Sequence, residues 1–287
     1  MQIKRKPDWL RISRSAVGDY EKVNLLIQKN CLHTICQSGK CPNQAECWSR
    51  GTATFMLLGD VCTRGCKFCA TPTGRPLPPD KDEPQKLAHT VKAMNLKHVV
   101  LTSVTRDDLP DEGAAHWKSC IEAIRNLCPQ TTIEILVPDF NARRELIELV
   151  ADAGPDIYSH NLETVKRLSR NVRTKATYEG SLKTLQIIHE LGFVSKTGIM
   201  LGLGEIEDEI RQTMQDALNV GVSIFTMGQY LQPSRNNYPV AEYIDPLKFE
   251  QYKEWGLQMG FSHVESGPLV RSSYHAEEAW HSNCNNV

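Results

Sequence analysis

The 287-residue chain predicts an α/β fold, an open, partial (β/α)6 TIM-like barrel flanked by N-terminal and C-terminal extensions. Three observations predict it. From residue 51 onward, short runs rich in Val, Ile and Thr alternate with helical patterns, which implies a parallel sheet with right-handed crossovers. There are six such repeats, too few to close an eight-stranded barrel. A chain of this length is also long enough to bury one large core, so a single barrel-like domain suffices.

Residues 1–50 precede the first strand-like run and form the first extension. Within it, Gly18–Asn30 carries Val23, Leu25, Leu26 and Ile27 and reads as a short amphipathic helix. The barrel segment is residues 51–230. Its strand runs are Thr54–Leu58, His98–Thr102, Thr132–Val137, Asp156–His160, Ser195–Leu201 and Ser223–Met227. Helical patterns fall between them at Glu83–Met94, Glu112–Leu127, Ala142–Ala153, Leu162–Leu168 with Tyr178–Leu191, and Ile206–Val220. The Pro-rich stretch Thr71–Pro79 is a loop leading into the first of these helices. The closing segment, residues 231–287, holds one helix, about Pro246–Met259, and then Arg271-Ser272-Ser273-Tyr274. No internal repeat beyond the alternation and no low-complexity tract is present.

A net charge of −1 argues against a nucleic-acid binder, which is usually strongly basic. Small basic groups, Arg143-Arg144 and Lys166-Arg167, read as solvated helix faces, with an acidic docking partner as the alternative. Ten cysteines would suit a secreted disulfide framework, but Met1-Gln2-Ile3-Lys4-Arg5-Lys6-Pro7-Asp8-Trp9 is no apolar signal region. No stretch is apolar for long enough to span a membrane. Clustered cysteines in such a chain point to metal in a reducing compartment, so the expectation is a cytoplasmic metalloenzyme without a membrane partner.

The chemistry concentrates in Cys62-Thr63-Arg64-Gly65-Cys66-Lys67-Phe68-Cys69, a C-x3-C-x2-C loop directly after the first strand. A loop this short can present three thiolates to one face of a small inorganic cluster. A 4Fe–4S cube is normally held by four cysteines, so three local ligands leave one iron open. Half a zinc site and a redox dithiol are the alternatives for Cys66-x-x-Cys69. A zinc site wants a second pair at closed tetrahedral spacing. The other cysteine group is instead C-x4-C-x5-C, formed by Cys36, Cys41 and Cys47 on a stretch rich in Ser, Gly, Pro and Asn. Three cysteines on a polar loop imply a second cluster, although any one of them alone is compatible with a small buried hydrophobe.

The C-x3-C-x2-C loop, with Phe68 before its last cysteine, resembles that of the radical S-adenosylmethionine superfamily. Together the two triads resemble the lipoyl synthase family. Further matching segments are Leu58-Gly59-Asp60, Arg106-Asp107-Asp108-Leu109, Val137-Pro138-Asp139-Phe140, His160-Asn161-Leu162-Glu163-Thr164-Val165, Lys196–Glu205, Gly228–Ser234 and Arg271-Ser272-Ser273-Tyr274. The likeness runs from about Lys6 to Tyr274. Thr105, where the family often has Asp, and the extra Cys31 are small departures.

The resemblance implies two 4Fe–4S clusters and two molecules of S-adenosylmethionine per product. Cys62, Cys66 and Cys69 would hold the first cluster, whose open iron takes the amino and carboxylate groups of S-adenosylmethionine. Cys36, Cys41 and Cys47 would hold the second, with Ser273 as its fourth ligand; read without the family, Ser272 and Ser273 make only a turn. An oxygen ligand is poor for iron beside thiolate, so that corner should be labile. Arg271, next to it, offsets the cluster's negative charge. The implied reaction is sulfur insertion at carbons 6 and 8 of an octanoyl chain carried as a lysine amide, with sulfur drawn from the second cluster. The implied partners are octanoylated lipoyl carrier domains of 2-oxoacid dehydrogenases and the glycine cleavage H protein, an electron donor such as ferredoxin or flavodoxin, and an iron–sulfur carrier that rebuilds the spent cluster. Nothing demands more than a monomer.

In a barrel of this kind, residues at the strands' C-terminal ends face the chemistry. Ser103, Asp139, Asn161, Glu163 and the Gly202–Glu205 turn with Gly204 and Glu205 occupy those positions, as nucleotide contacts or as plain turn formers. Gly202-x-Gly204 lacks the third glycine of a dinucleotide fingerprint. Cys120, Cys128 and Cys284 read as packing or tail residues, and His33, His160 and His275 as structural. The rival readings are another radical sulfur inserter resembling biotin synthase, a metal-stabilised binding protein, and a ferredoxin-like electron carrier.

Overall fold

A computed structural model describes residues 5–10, 18–49 and 53–273, so Tyr274, His275 and Cys284 lie outside the described residues, as does the segment boundary at residue 50. The chain forms two compact units. One comprises Arg14–Gly65 and Ala70–Ser159, the other Met1–Ser13, Cys66–Cys69 and His160–Val287.

The amino-terminal unit contains, in order, α1 (Gly18–Lys29), β1 (His33–Thr34), α2 (Ile35–Ser38), α3 (Gln44–Ser49), β2 (Thr54–Leu57), α4 (Glu83–Ala93), β3 (His98–Ser103), α5 (Ala114–Leu127), β4 (Thr132–Leu136), α6 (Arg144–Ala151) and β5 (Ile157–Ser159). Strands β2 to β5 pair in parallel in chain order, and the two-residue β1 adds antiparallel to β2. All four residues of β2 are buried, as expected of a parallel strand covered on both faces. Helix α5 turns Trp117, Cys120, Ile121 and Ile124 inward, the i, i+3, i+4, i+7 spacing of one helical face.

The carboxy-terminal unit contains α7 (Lys166–Val172), α8 (Tyr178–Glu190), β6 (Val194–Leu201), α9 (Glu207–Asn219), β7 (Ile224–Gln229), α10 (Pro246–Met259) and β8 (His263–Gly267). Strands β6, β7 and β8 are parallel in register, Thr197 opposite Phe225 and Phe225 opposite Val264. Its core includes Leu185, Leu201, Met214, Phe225, Phe249 and Val264, with Phe68 of the cysteine loop packed against it.

The six expected strands appear within two residues of their expected ends. Two differences have clear causes. The helix expected from Leu162 begins only at Lys166, because the chain before it is hydrogen-bonded to β6. Leu162 N–H donates to Thr197 Oγ1 and Glu163 N–H to the Gly198 carbonyl, with Glu163 at a left-handed φ of 68°. The helix expected from Ala142 starts at Arg144, because Phe140, Asn141 and Ala142 form a 3-10 turn with positive φ at all three residues. Among the described residues, no helix is long and apolar enough to cross a membrane.

The exit from β2 is braced from both sides. Leu58, at φ 68°, donates its N–H to the buried Glu83 carboxylate at 3.0 Å, and its carbonyl accepts from Arg106 Nη1 at 3.4 Å. Glu83 is itself hydrogen-bonded to His116. Two ionic side chains thus hold the main chain four residues before Cys62.

Candidate metal centres and active site

After β2 the chain turns through Leu58 and Gly59, both at positive φ, and reaches Cys62. Cys62 makes a short parallel bridge with Thr73: its N–H donates to the Pro72 carbonyl and its carbonyl accepts from Gly74 N–H. The Thr71–Pro79 stretch is therefore a tether for the cysteine loop as well as a connection. The Cys62 sulfur accepts two backbone N–H groups, from Arg64 at 3.4 Å and Thr105 at 3.3 Å. Thr105 contributes main chain here, since its N–H meets Cys62 and its carbonyl takes both the N–H and the hydroxyl of Thr63. The departure from Asp at this position leaves those bonds unaffected.

Arg64 is buried between two carboxylates. It makes a fork to Asp107, Nε and Nη2 each at 2.8 Å, and Nη1 donates to Asp139 at 2.7 Å. Burial opposes its charge, but the bonds and charges of Asp107 and Asp139 outweigh that, and the guanidinium is held cationic. Asp139, expected among the strand-end nucleotide contacts, is thus committed to the cysteine loop. The neighbouring Arg106 forks to Asp108 at 2.9 Å on both bonds.

Ser103 ends β3 opposite Leu57, two residues before the Thr105 N–H that meets Cys62. Its hydroxyl is buried and has no hydrogen-bond partner. A buried hydroxyl without a partner costs free energy, so its position at a strand's C-terminal end fits a polar ligand atom.

The second triad lies in the same unit. Thr34 caps the one-turn α2, with its hydroxyl accepting the Gln37 N–H, and places the buried Cys36 just inside that turn. Cys41 donates its N–H to the Cys36 carbonyl at 3.0 Å, and Cys47 follows on α3. Trp48, fully buried and stacked on Tyr20 at 5.0 Å, anchors α3. Burial pushes the Cys36 thiol up, offset only in part by hydrogen bonding to Thr54, so metal binding there must displace a proton. None of the nine described cysteines is in a disulfide, so both triads keep their sulfurs as potential ligands.

In the carboxy-terminal unit, the Cys66–Cys69 segment is pinned through its backbone. Lys67 N–H donates to the Val172 carbonyl at the end of α7, and the Lys67 carbonyl accepts Tyr238 N–H, both at 2.8 Å. The Cys69 carbonyl accepts Asn237 Nδ2 at 2.8 Å. Phe68 supplies the apolar anchor. The Asn161 amide hydrogen-bonds Glu163; burial raises the Glu163 carboxyl, and Arg173 and Asn161 counter it. A Cβ at Gly198 would meet Thr226 Oγ1 at 2.2 Å and Asn161 Oδ1 at 3.3 Å, so the glycine keeps this corner open.

Glu205 turns back on its own loop, its carboxylate taking the N–H groups of Gly202 and Leu203. Burial still raises its carboxyl despite those donors. Gly204, at φ 108°, presents its carbonyl to Arg167 at 2.8 Å. Gly202 has φ 95°, and a Cβ there would lie 2.4 Å from the Glu242 carbonyl oxygen. Gly202→Ala is therefore expected to lower unfolding free energy by about 2–3 kcal/mol, read as a lower midpoint in urea. Arg271 Nη1 reaches the Val270 carbonyl, and Ser273, half-buried, ends the described chain.

One further group of donors was not singled out by the sequence. Glu83, His116 and Cys120 bring three ligand atoms within 4.8 Å of one another. A closed structural zinc site needs four, and Glu83 already serves Leu58 N–H and His116, so the group acts as the brace behind β2. Burial holds the Cys120 thiol well up, in keeping with a packing role.

Comparison with known proteins identifies the family. The Radical SAM superfamily profile matches residues 56–217. A lipoyl synthase of Parabacteroides distasonis is 57% identical over 274 residues, covering 96% of this chain and 98% of the relative. One from Treponema denticola is 54% identical, covering 96% and 94%. Among solved structures, methylornithine synthase superposes with a TM-score of 0.57 at 14% identity, covering 70% of this chain and 61% of that one. Streptococcus suis SuiB bound to S-adenosylmethionine gives 0.56 at 11% identity, covering 76% and 50%. These two likenesses bear on the fold alone, which is the α/β fold of the partial-barrel type that the strand and helix alternation predicted. With a superfamily match over more than half its length and relatives above 50% identity along nearly all of it, the chain belongs to the lipoyl synthase family of radical S-adenosylmethionine enzymes.

Proposed function

We infer that this sulfurtransferase inserts two sulfur atoms, at carbons 6 and 8, into an octanoyl chain held as a lysine amide on a lipoyl carrier domain. The observation that carries the reading is the pair of cysteine triads, none of them in a disulfide and each on a short hydrogen-bonded segment, in a chain of this family. Cys62, Cys66 and Cys69 hold one 4Fe–4S cluster, and Cys36, Cys41, Cys47 and Ser273 hold the second, which is the sulfur donor. The first cluster with S-adenosylmethionine supplies a 5′-deoxyadenosyl radical, needed because the substrate's C–H bonds offer no acidic proton and no leaving group.

The chain's own residues bind, orient and exclude water. The unpartnered Ser103 hydroxyl and the Asn161–Glu163 pair are suited to the polar atoms of the nucleotide, two molecules of which are consumed per product. Glu205 and Gly204 shape the loop after β6, whose backbone is suited to approach the nucleotide. Arg271 balances charge beside Ser273. Functionally the chain reads as a cluster-bearing extension (1–50), a radical barrel (51–230) and a closing segment (231–287). Octanoylated 2-oxoacid dehydrogenase subunits and the glycine cleavage H protein are the carriers, a ferredoxin or flavodoxin the reductant, and an iron–sulfur carrier the source of repair. Six cysteines grouped in two triads suit a monomer working in the reducing cytoplasm.

The test is mass spectrometry of an octanoyl-lysyl peptide incubated anaerobically with reconstituted enzyme, S-adenosylmethionine and dithionite. The expected result is a gain of two sulfurs, with a one-sulfur species appearing first. Formation of 5′-deoxyadenosine without sulfur gain would overturn the substrate, and absence of both despite about eight irons bound would overturn the catalytic reading.

A further inference from the structure

The loop after β4 is held in an unfavourable shape. Phe140, Asn141 and Ala142 stand at φ 44°, 48° and 54° in succession. Single Asn residues visit the left-handed region readily, but Phe and Ala do not, so a run of three is strained. Such strain persists only where neighbouring contacts over-determine it. One such contact comes from Glu112, in the loop between β3 and α5, whose Oε1 accepts Asn141 Nδ2 at 2.7 Å. Glu112 is itself left-handed, at φ 51°, and its side chain is only 6% exposed. Its Oε2 is buried and has no hydrogen-bond partner among the described residues. Arg143 Nη1 lies 3.7 Å from Oε1 and donates to the Pro110 carbonyl at 3.0 Å. A buried carboxyl group with one oxygen unsatisfied is a costly way to fasten a turn, and its place in the fold explains it.

The fastened turn carries a contact of the cysteine loop. Asp139 Oδ1 takes both the Asn141 N–H, at 3.3 Å, and Arg64 Nη1, at 2.7 Å. The Arg64 N–H in turn meets the Cys62 sulfur. A path of hydrogen bonds thus runs from Glu112 through Asn141, Asp139 and Arg64 to Cys62, across the loops that leave β2, β3 and β4. We propose that Glu112 is a positioning residue for radical formation. By clasping the Phe140–Ala142 turn in its left-handed shape, it sets where Asp139 meets Arg64, and so how the Cys62 loop presents its sulfur. A misplacement of about 1 Å, made away from the chemistry, can slow a reaction about 100-fold, so a clasp at this remove acts on rate. The inference rests on the reading of Cys62, Cys66 and Cys69 as cluster ligands.

The experiment reads the full chain both metal-free and reconstituted. In the metal-free chain, hydrogen exchange of the peptide carrying Thr63 and Arg64 is expected to quicken about tenfold in Glu112→Ala and in Asn141→Gly. In the reconstituted chain, both variants are expected to lower kcat for 5′-deoxyadenosine about tenfold, with KM for S-adenosylmethionine within about twofold of the parent and iron content unchanged. Asn141→Gly breaks the clasp at a φ that glycine adopts freely, so it decides the matter where Glu112→Ala does not fold. Glu112→Gln keeps an oxygen in place for Asn141 and is expected to bring both readouts to within about threefold of the parent. Parent-like exchange or parent-like kcat in Asn141→Gly, a fall in kcat that only follows loss of iron, or no rescue by Glu112→Gln would overturn the proposal, because a purely structural turn predicts them. A parent that makes no 5′-deoxyadenosine, with exchange responding as expected, would instead overturn the ligand assignment beneath it.

Discussion

Cys62→Ala is expected to abolish 5′-deoxyadenosine formation while the protein stays folded and keeps about half its iron. The loop does not depend on the sulfur for its shape. Thr63 is tied to Thr105 and Asp107, Arg64 is forked to Asp107 and bound to Asp139, and the Cys62 backbone bridges to Pro72 and Gly74. The substitution removes an acceptor from two N–H groups, Arg64 and Thr105, at a cost of about 1–3 kcal/mol. Two cysteines do not normally retain a 4Fe–4S cube, so iron should fall from about eight to about four per chain, with the remainder on the second triad. Iron analysis and chromatography for 5′-deoxyadenosine read both quantities. Persistent 5′-deoxyadenosine at the unsubstituted rate would remove Cys62 from the ligand set.

Much of the fold was legible because the elements obey local rules. The Pro246–Met259 helix matches its expected bounds: Asp245 caps it through Leu247 N–H, Pro246 sits at its first position, and Gly260 closes it at φ 115°. The buried runs of β2 and β4 are similarly plain. Strand β8 was missed because His263–Gly267 has Val264 as its one deeply buried apolar residue, so its pairing with β7 comes from tertiary context. Strand β1, two residues long, has too little sequence to carry a period.

At the site, the cysteines were legible from spacing, since a cluster loop is a local object. The Arg64 clamp was not. Its partners lie 43 and 75 residues away, and an aspartate at a strand end looks the same whether it meets a ribose or a guanidinium. The motif Arg106-Asp107-Asp108 is read similarly: neighbouring carboxylates go to different arginines, Asp107 to Arg64 and Asp108 to Arg106. The Glu83–His116 brace was hidden for the same reason, because the group it holds is a backbone N–H that any residue at position 58 would present. Glu205 is a strand-end carboxylate that takes the N–H groups of its own loop, a local bond that spacing alone does not reveal.

The second large effect separates the two halves of the chemistry. Cys41→Ala is expected to leave 5′-deoxyadenosine formation within about threefold of the parent and to eliminate sulfur transfer to the octanoyl-lysyl peptide. Cys41 suits this test better than Cys36. The Cys36 thiol is buried against Thr54, so its truncation opens a cavity and mixes folding with function. Cys41 is partly exposed, and its link to the turn is a main-chain bond to the Cys36 carbonyl that alanine retains. The C-x3-C-x2-C loop is built from contacts to Thr73, Thr105, Asp107 and Asp139 and to Val172, Asn237 and Tyr238, none of which involves Cys41. If the second cluster is the sulfur donor, a chain that cannot hold it still makes the radical and has nothing to transfer. The peptide should then stay unsulfurated however long the incubation. If Cys41→Ala instead inserts sulfur at the parent rate, sulfur comes from elsewhere, and the cysteines of the first extension are structural.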